Sequence, residues 1–202
     1  VQEEFVIRLL NLLQDVDIEV WYFDETTVNL WDYSEKVWMN KKSPVIVQLP
    51  RQRGRSVTVL GAISNRRRLV LWQTNTTTDK DTVYDFFKMF VRKKSKSLHK
   101  VVVLDNHGAH KTNDLRSLLE LNNAELFFLP SSSSPLNAVE VLWAQLKKLW
   151  RTNMLKIGRS LEPNEADIFL KELIRKHLLQ EGMKLSTAHY TALKYVLEGG
   201  HV

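Results

Sequence analysis

The amino-acid sequence predicts an α/β protein in which helices flank a mixed β-sheet. In the first half of the chain, short runs of β-branched and aromatic residues are separated by turn residues, which is typical of antiparallel strands. In the second half, apolar runs alternate with segments of helical periodicity, which is typical of parallel strands connected by helices. We therefore expect antiparallel strands first, a parallel βαβ unit next, and extra helices at the C-terminal end.

Three apolar runs predict the antiparallel strands. The first spans residues 18–23, and the other two span residues 57–63 and 69–73. Residues 64–66, Ser-Asn-Arg, separate the last two runs and indicate a hairpin turn. Ahead of these strands, residues 4–13 predict a short helix that is either amphipathic or buried.

The parallel part of the sheet is predicted from a βαβ pattern. Residues 101–104 are apolar at every position, as expected for a strand that is covered on both faces. A helix capped near Thr112 follows, and then a strand over residues 126–129 that Pro130 ends. Before this unit, an amphipathic helix capped near Thr78 or Asp79 is indicated by apolar residues at helical spacing: Val83, Phe86, Phe87, Phe90 and Val91.

The chain divides into a core and two helical additions. A helix with a broad apolar face is predicted to begin near Ala138, and one or two more helices follow Gly158. We assign residues 1–15 to an N-terminal helix or linker, residues 16–153 to the core, and residues 154–202 to a C-terminal helical extension.

The composition limits the class of protein. The chain has 202 residues, of which 44% are hydrophobic, so it can bury a core of the size of one domain. It contains no cysteine, which excludes a disulfide scaffold, a thiolate zinc site and a cysteine nucleophile. The net charge of +6 favours polyanionic partners. Neither a transmembrane run nor a secretory signal is visible, so no membrane partner is expected.

Three carboxylates occupy positions where α/β proteins often carry chemistry. Asp24 follows the first predicted strand, Asp105 follows the buried parallel strand, and Glu140 lies in the first turn of a later helix. In such sheets, ligands bind at the carboxyl ends of parallel strands. Taken singly, Asp105 could cap a loop and Glu140 could complement a helix N-terminus. Taken together, the three carboxylates predict a site for Mg²⁺ or Mn²⁺, because converging like charges need either raised pKa values or bound cations.

The helix that carries Glu140 also carries positive charges on the same face. At about 100° per residue, Ala144, Lys147 and Arg151 lie within about 40° of Glu140 around the helix axis. A metal-binding carboxylate with two cations further along the helix suits a phosphodiester substrate. The alternative interpretation is a solvated face with mixed charges.

Three sequence blocks together resemble the catalytic domain of Tc1/mariner-type DDE transposases, a superfamily that includes the bacterial IS630 group. The blocks are residues 23–25 (Phe-Asp-Glu), residues 104–110 (Leu-Asp-Asn-His-Gly-Ala-His) and residues 129–147, with Leu-Asn-Ala-Val-Glu at 136–140. They occur in the family's order, and the 34 residues between Asp105 and Glu140 match the spacing of Tc1-type members. The resemblance covers residues 18–152 and implies an RNase H-like fold.

The resemblance also implies the roles of the three carboxylates. Asp24, Asp105 and Glu140 would be the catalytic residues and would bind two Mg²⁺ ions, for which Mn²⁺ can substitute. Such a site hydrolyses a DNA strand and transfers the freed 3′-hydroxyl into target DNA. The implied partners are double-stranded DNA, at the transposon ends and at the target, and a second copy of the chain in a homodimer.

Four further residues have supporting roles by the same resemblance. Asn106 and His110 match family residues beside the second aspartate, where they position metal-bound water or DNA. Asn137 matches an asparagine in the turn before the glutamate, and Glu25 is interpreted as a supporting residue rather than a ligand. One departure is the serine run at residues 131–134, which replaces a proline-rich run of the family.

Five basic residues ahead of the second strand are candidate DNA-binding residues: Lys41, Lys42, Arg51, Arg53 and Arg55. Lys147 and Arg151 are further candidates. A solvated basic loop is an equally good interpretation of the first group. His107 and His110 are close in sequence, but no zinc site is expected because a third nitrogen or sulfur ligand is not nearby.

Three functions are compatible with these patterns. The first is the catalytic piece of a longer DDE transposase, since helix-turn-helix DNA-binding domains usually precede this domain in the family. The second is a domesticated, non-catalytic DNA-binding or interaction module, which the serine run favours. The third is an RNase H-like nuclease that acts on RNA–DNA hybrids or branched DNA. Because the substrate is DNA, the expected location is the nucleus in a eukaryote or the cytoplasm in a bacterium.

Overall fold

The computed structural model describes residues 2–29, 40–42, 56–66, 69–74, 78–92, 98–157, 161–174 and 176. Five α-helices and five strands make up this part of the chain: α1 (Gln2–Gln14), β1 (Ile18–Asn29), β2 (Ser56–Ser64), β3 (Leu69–Thr74), α2 (Lys80–Arg92), β4 (His99–Leu104), α3 (Asn113–Glu120), β5 (Ala124–Phe128), α4 (Val139–Ile157) and α5 (Pro163–Leu173). Two short 3₁₀ helices, Gly108–His110 and Ser134–Leu136, lie in the loops after β4 and β5.

The five strands form one mixed sheet in the order β3-β2-β1-β4-β5. β2 pairs antiparallel with both β1 and β3, and β2 and β3 form the predicted hairpin. β4 pairs parallel with both β1 and β5, and α3 connects β4 to β5. The prediction of antiparallel strands followed by a parallel βαβ unit is therefore confirmed.

β1 is longer than the apolar run that predicted it. It spans Ile18–Asn29 and stays paired with β2 to its last residue. Asp24 therefore lies within a strand, and the prediction that it follows the end of a strand is wrong. On one side, β4 pairs only with residues 18–22 of β1. On the other side, β2 pairs with β1 as far as Asn29, and this pairing keeps the polar residues 24–27 in the strand.

Apolar side chains cover both faces of the sheet. Alternate residues of β1 point to opposite sides, so Val20 and Tyr22 join one core cluster while Trp21 and Phe23 join the other. Helices α1, α4 and α5 contribute to the first cluster, and α2 and α3 contribute to the second. Helices on both sides explain why residues 101–104 of β4 are apolar at every position.

The starts of α2 and α3 follow the predicted capping signals. Asp79 accepts a hydrogen bond of 2.8 Å from the backbone N–H of Thr82 at the start of α2. Thr112 accepts one of 3.3 Å from the backbone N–H of Leu115 at the start of α3. Both side chains satisfy a backbone donor that has no partner inside the helix.

The ends of the chain are only partly described. α1 contributes four buried residues to the core, and α4 continues through residue 153 to Ile157. Of the one or two helices predicted after Gly158, one is present as α5, and residues 177–202 lie outside the described part of the chain. The division at residues 15 and 153 stays a prediction.

Candidate active site

The sheet brings Asp24 and Asp105 side by side. β1 and β4 are neighbouring parallel strands, and their last aligned pair is Tyr22 with Val103. Asp24 and Asp105 each lie two residues beyond this pair, so the two carboxylates leave adjacent backbones at the same place in the sheet. Asp24 is partly buried because β1 continues beside β2, whereas Asp105 is exposed at the end of β4.

Asn137 attaches the start of α4 to β1 beside Asp24. Its buried side-chain amide donates a hydrogen bond of 2.9 Å to the backbone oxygen of Phe23. Its side-chain oxygen accepts a hydrogen bond of 3.4 Å from the backbone N–H of Val139. Its backbone oxygen accepts another, of 3.1 Å, from the backbone N–H of Glu140. These bonds hold Glu140 in the first turn of α4, close to the middle of β1.

The serine run ahead of α4 is anchored to α1. Ser133 is buried, and its hydroxyl accepts a hydrogen bond of 2.8 Å from the side-chain amide of Gln2. The same hydroxyl donates to the backbone oxygen of Ser131 at 3.3 Å. The loop that leads to Glu140 is therefore bonded at two places, to α1 through Ser133 and to β1 through Asn137.

The carboxylates influence one another electrostatically. Burial raises the pKa of Asp24 from its ordinary value of 3.8 to about 7, with the charge of Glu25 as the next contribution. The backbone N–H of Glu25 opposes this shift, and the charges of Glu140 and Asp105 add to it. Asp105 and Glu140 thus lie near enough to Asp24 for their charges to act on it, and Glu25 is a fourth carboxylate that does so.

This set of side chains suits a hard divalent cation. Every charge that contributes to the raised pKa of Asp24 is negative, so a bound cation would reduce both the repulsion and the cost of burying the carboxylate. Carboxylate oxygens are the ligands that Mg²⁺ and Mn²⁺ prefer. Asp24, Asp105 and Glu140 therefore have the right chemistry for such an ion, although among the described residues the side chains whose ligand atoms all meet within 4.8 Å are Glu25, His107 and His110.

Gly61 allows close packing next to Asp24, a role that is recognisable only in the folded structure. It lies opposite Asp24 in the pairing of β1 with β2. A Cβ atom at this position would lie 2.5 Å from the ring of Trp143 and 2.7 Å from Leu71. Because Trp143 follows Glu140 by about one turn of α4, the glycine lets this helix pack closely on the sheet beside Asp24. A glycine inside an apolar run is the signal that the sequence offered.

His110 is a buried link between Asp105 and Glu25. Its Nδ1 lies 2.7 Å from Oδ1 of Asp105, and its Nε2 lies 3.3 Å from Oε2 of Glu25. Burial by itself lowers the pKa of His110, but the two carboxylates more than offset this and raise the pKa above its ordinary value. The ring also packs edge-on against Phe23, with 5.5 Å between the centroids.

Asn106 and His107 make different contacts in the loop after β4. The side-chain amide of Asn106 donates a hydrogen bond of 2.6 Å to the backbone oxygen of Leu129, which connects the ends of β4 and β5. The backbone N–H of His107 donates one of 3.0 Å to Oδ1 of Asp105 and so orients this carboxylate. The expected role of Asn106 in positioning water or DNA stays a prediction.

The two histidines of this loop have a third potential ligand. Ligand atoms of Glu25, His107 and His110 all lie within 4.8 Å of one another. The expectation of no zinc site rested on the lack of a third nitrogen or sulfur ligand nearby in sequence, and the ligand that the fold supplies is instead an oxygen from a distant element. The third group is a carboxylate of β1, which the fold places next to a loop that comes much later in the chain.

The candidate DNA-binding residues are described in part. Lys147 is half-buried and Arg151 is exposed on α4, beyond Glu140. Lys41 and Lys42 are exposed in a turn. Three candidates lie outside the described residues: Arg51, Arg53 and Arg55.

Comparison with known proteins defines the class of this chain. Residues 19–162 match the family described as DDE superfamily endonuclease, which is most of the chain. The chain therefore belongs to the DDE superfamily endonucleases. No curated protein matches the sequence. No helix in the part of the chain that the structure describes has the length and apolar character needed to cross a membrane.

The fold is similar to that of the Mos1 mariner transposase. The Mos1 strand transfer complex matches with a TM-score of 0.72 and 13% identity, over 98% of this chain and 60% of that one. The mariner Mos1 paired-end complex with Mg matches with a TM-score of 0.72 and 14% identity, over the same shares. The Mos1 catalytic domain alone matches with a TM-score of 0.60 and 13% identity, over 100% of this chain and 93% of that one.

These matches confirm the RNase H-like fold and the resemblance to the Tc1/mariner catalytic domain. This chain covers about 60% of the Mos1 chain in the DNA complexes, and nearly all of the Mos1 catalytic domain. The similarity therefore concerns the catalytic domain of that transposase.

Replacing Asn137 with Ala is expected to lower the free energy of unfolding by about 1–3 kcal/mol, because it leaves the buried backbone oxygen of Phe23 without its donor. Urea unfolding at neutral pH measures the change. Asn11→Ala is the matched control, since Asn11 is exposed on α1 and its replacement should change stability by less than about 0.5 kcal/mol. Equal stabilities of the two variants would contradict this role for Asn137.

Proposed function

We propose that this chain is the catalytic domain of a transposase that cleaves DNA strands in a metal-dependent reaction and joins the freed 3′-hydroxyl to target DNA. The observation that carries the proposal is that Asp24 and Asp105 lie at the same place on neighbouring parallel strands, with Glu140 near enough for its charge to act on Asp24. Membership of the DDE superfamily endonucleases and the Mos1-like fold support it.

Asp24, Asp105 and Glu140 are the residues that would hold two Mg²⁺ ions. When bound, such ions supply a Lewis acid for the phosphate and lower the pKa of the attacking water or hydroxyl. Asn137 keeps Glu140 at the site by tying the start of α4 to β1. His110 and the backbone of His107 hold the carboxylate of Asp105 in one orientation.

The proposed chemistry consists of two displacements at phosphorus. In the first, a water oxygen forms a bond to phosphorus and the bond to the 3′ oxygen breaks, which frees a 3′-hydroxyl. In the second, this hydroxyl oxygen forms a bond to a phosphorus of the target DNA, and the bond from that phosphorus to the 3′ oxygen of the target strand breaks. Each step forms one P–O bond and breaks one, so positioning and charge stabilisation suffice for catalysis.

Lys147 and Arg151 are the residues we propose to contact the DNA backbone near the site. Both follow Glu140 on α4, and Arg151 is exposed. Such contacts to phosphate would be largely independent of base sequence. The related Mos1 structures include a strand transfer complex and a paired-end complex with the left transposon end. A homodimer, and a nuclear or bacterial cytoplasmic location, belong to the same proposal.

Nicking of supercoiled plasmid in Mg²⁺ or Mn²⁺ tests the proposal. Removing a residue that only orients a metal ligand lowers metal affinity or activity by about 10–100-fold. Asp105→Asn and Glu140→Gln alter the ligands themselves, so each should lower the rate of nicking by more than about 100-fold. Glu120→Gln is the matched control because Glu120 is exposed on α3. Full nicking by Asp105→Asn would refute the proposal. Cleavage of RNA–DNA hybrids in preference to duplex DNA would replace it with an RNase H-like nuclease.

A further inference from the structure

Two buried polar atoms face each other beside the three carboxylates. Nε2 of His110 and Oε2 of Glu25 lie 3.3 Å apart, and the His110 side chain is 1% exposed. Among the described residues, neither atom has a hydrogen-bond partner, and the two form an ion pair only when His110 is protonated. Buried polar atoms normally have a partner, so this pair needs an explanation.

The contact of His110 with Asp105 determines which ring nitrogen carries the proton when the ring is neutral. Nδ1 lies 2.7 Å from Oδ1 of Asp105, a distance at which Nδ1–H donates to the carboxylate. In the neutral ring the lone pair then belongs to Nε2, which points at a carboxylate oxygen. Two acceptors at 3.3 Å repel each other unless a proton or a metal ion lies between them. A histidine that donates its other N–H to a carboxylate is the usual arrangement of a metal-binding histidine.

His107 completes a set of three ligands. It is exposed, so solvent and ions reach its side chain. Its Nδ1 accepts a hydrogen bond of 3.4 Å from the backbone N–H of Ala109, so a bound ion competes with this one long bond for the single lone pair of the neutral ring. One ligand atom from each of Glu25, His107 and His110 lies within 4.8 Å of the others.

The distances and the ligand types favour a borderline metal ion. Two ligands on a tetrahedral ion, each about 2.0–2.1 Å from the metal, are separated by about 3.3 Å. This matches the 3.3 Å between Nε2 of His110 and Oε2 of Glu25. Imidazole nitrogens favour Zn²⁺ and similar ions, whereas Mg²⁺ prefers oxygen ligands. The set therefore differs in chemistry from Asp24, Asp105 and Glu140.

We propose that Glu25, His107 and His110 form a second metal site, which binds Zn²⁺ or a similar borderline divalent ion. The ion connects β1 to the loop after β4. It also holds the His110 ring that contacts Asp105, so its binding restrains one of the proposed catalytic carboxylates. The site does not depend on the proposed DNA cleavage, because its ligands and its chemistry are its own.

Binding of Co²⁺, a spectroscopic substitute for Zn²⁺, tests this site. The protein carries Asp24→Asn and Glu140→Gln, which weaken the carboxylate site but leave Glu25, His107 and His110 in place. We expect one Co²⁺ per chain with the visible absorption of nitrogen-ligated, four-coordinate cobalt, and loss of this absorption when Zn²⁺ is added. The wild-type protein in excess Mg²⁺ should give the same spectrum.

Substitution of one ligand distinguishes this site from any other. Adding His107→Ala to the same protein should weaken Co²⁺ binding by more than about 100-fold. Removing a residue that is only hydrogen-bonded to a ligand already lowers metal affinity by about 10–100-fold. His107 is exposed, so its replacement leaves the core intact. His99→Ala, which removes a half-exposed histidine of β4, is the matched control and should leave binding unchanged.

Two results would overturn the site: no cobalt absorption at all, or the same affinity with and without His107. In either case His110 would be protonated, and its Nε2–H would pair with the carboxylate of Glu25 without a metal ion. Nicking by the wild-type protein is measured separately, so failure of this site and failure of the proposed function are distinguishable.

Discussion

Replacing Asp24 with Asn is expected to stabilise the metal-free protein at pH 8 by about 2–4 kcal/mol, and to remove metal-dependent nicking in the same protein. The two effects have one origin. Asp24 is partly buried among carboxylates, so its negative charge is costly unless a cation is bound. Asn has nearly the same shape but no charge, and it is a weaker ligand for Mg²⁺.

The stabilisation should depend on pH in a defined direction. The pKa of Asp24 is raised from 3.8 to about 7, so between these values the folded protein keeps a proton that the unfolded chain has lost. The wild-type protein therefore loses stability as pH rises from about 4 to about 7, and the loss is complete above that range. Asp24→Asn avoids this loss, so the two proteins should differ at pH 8 and be nearly equal at pH 4.

Urea unfolding in a chelator at pH 4, 6 and 8 measures this difference. Asp85→Asn is the matched control, because it removes the same charge from an exposed position on α2 and should show no such trend. Adding Mg²⁺ at pH 8 should stabilise the wild-type protein more than Asp24→Asn, since an ion that binds the folded state shifts unfolding by mass action. A difference that stays constant from pH 4 to pH 8 would contradict the raised pKa.

Replacing Gly61 with Ala is expected to lower the free energy of unfolding by about 3 kcal/mol, and to lower nicking as well. The new Cβ would lie 2.5 Å from the Trp143 ring and 2.7 Å from Leu71, so α4 or the sheet has to move. Since Glu140 lies one turn before Trp143, a shift of α4 displaces this carboxylate from Asp24.

Gly108→Ala is the matched control, because a Cβ at Gly108 meets nothing within 4 Å. Combining Gly61→Ala with Trp143→Phe, which shortens the ring, should restore part of the nicking that the single change loses. If Gly61→Ala nicks plasmid at the wild-type rate, close packing of α4 on Gly61 does not position Glu140. Additive losses in the double variant would likewise argue against a direct contact.

Most of the fold could be predicted from local patterns. The stripe at Val83, Phe86, Phe87 and Phe90 forms the buried face of α2, and Thr112 caps α3. The end of β1 was predicted wrongly because its second half is polar, and its extension comes from pairing with β2 rather than from residue preference.

The candidate site could be predicted only in outline. Asp24, Asp105 and Glu140 were recognisable from sequence blocks and their spacing, and in the structure the charges of Asp105 and Glu140 act on Asp24. The contribution of Gly61 was not recognisable, because it depends on Trp143, which lies on an element far away in sequence. The same holds for Glu25, whose neighbour His110 belongs to a loop after another strand.

The sequence by itself determined the strands, the helices and the order of the three carboxylates, because periodicity, capping and motif spacing depend on residues that are neighbours in the chain. Only the tertiary structure decided that Asp24 lies inside a strand, that Trp143 packs on Gly61, and that two histidines meet Glu25. Those outcomes depend on burial and on contacts between distant elements, whose energies arise only when the sheet and its helices are assembled.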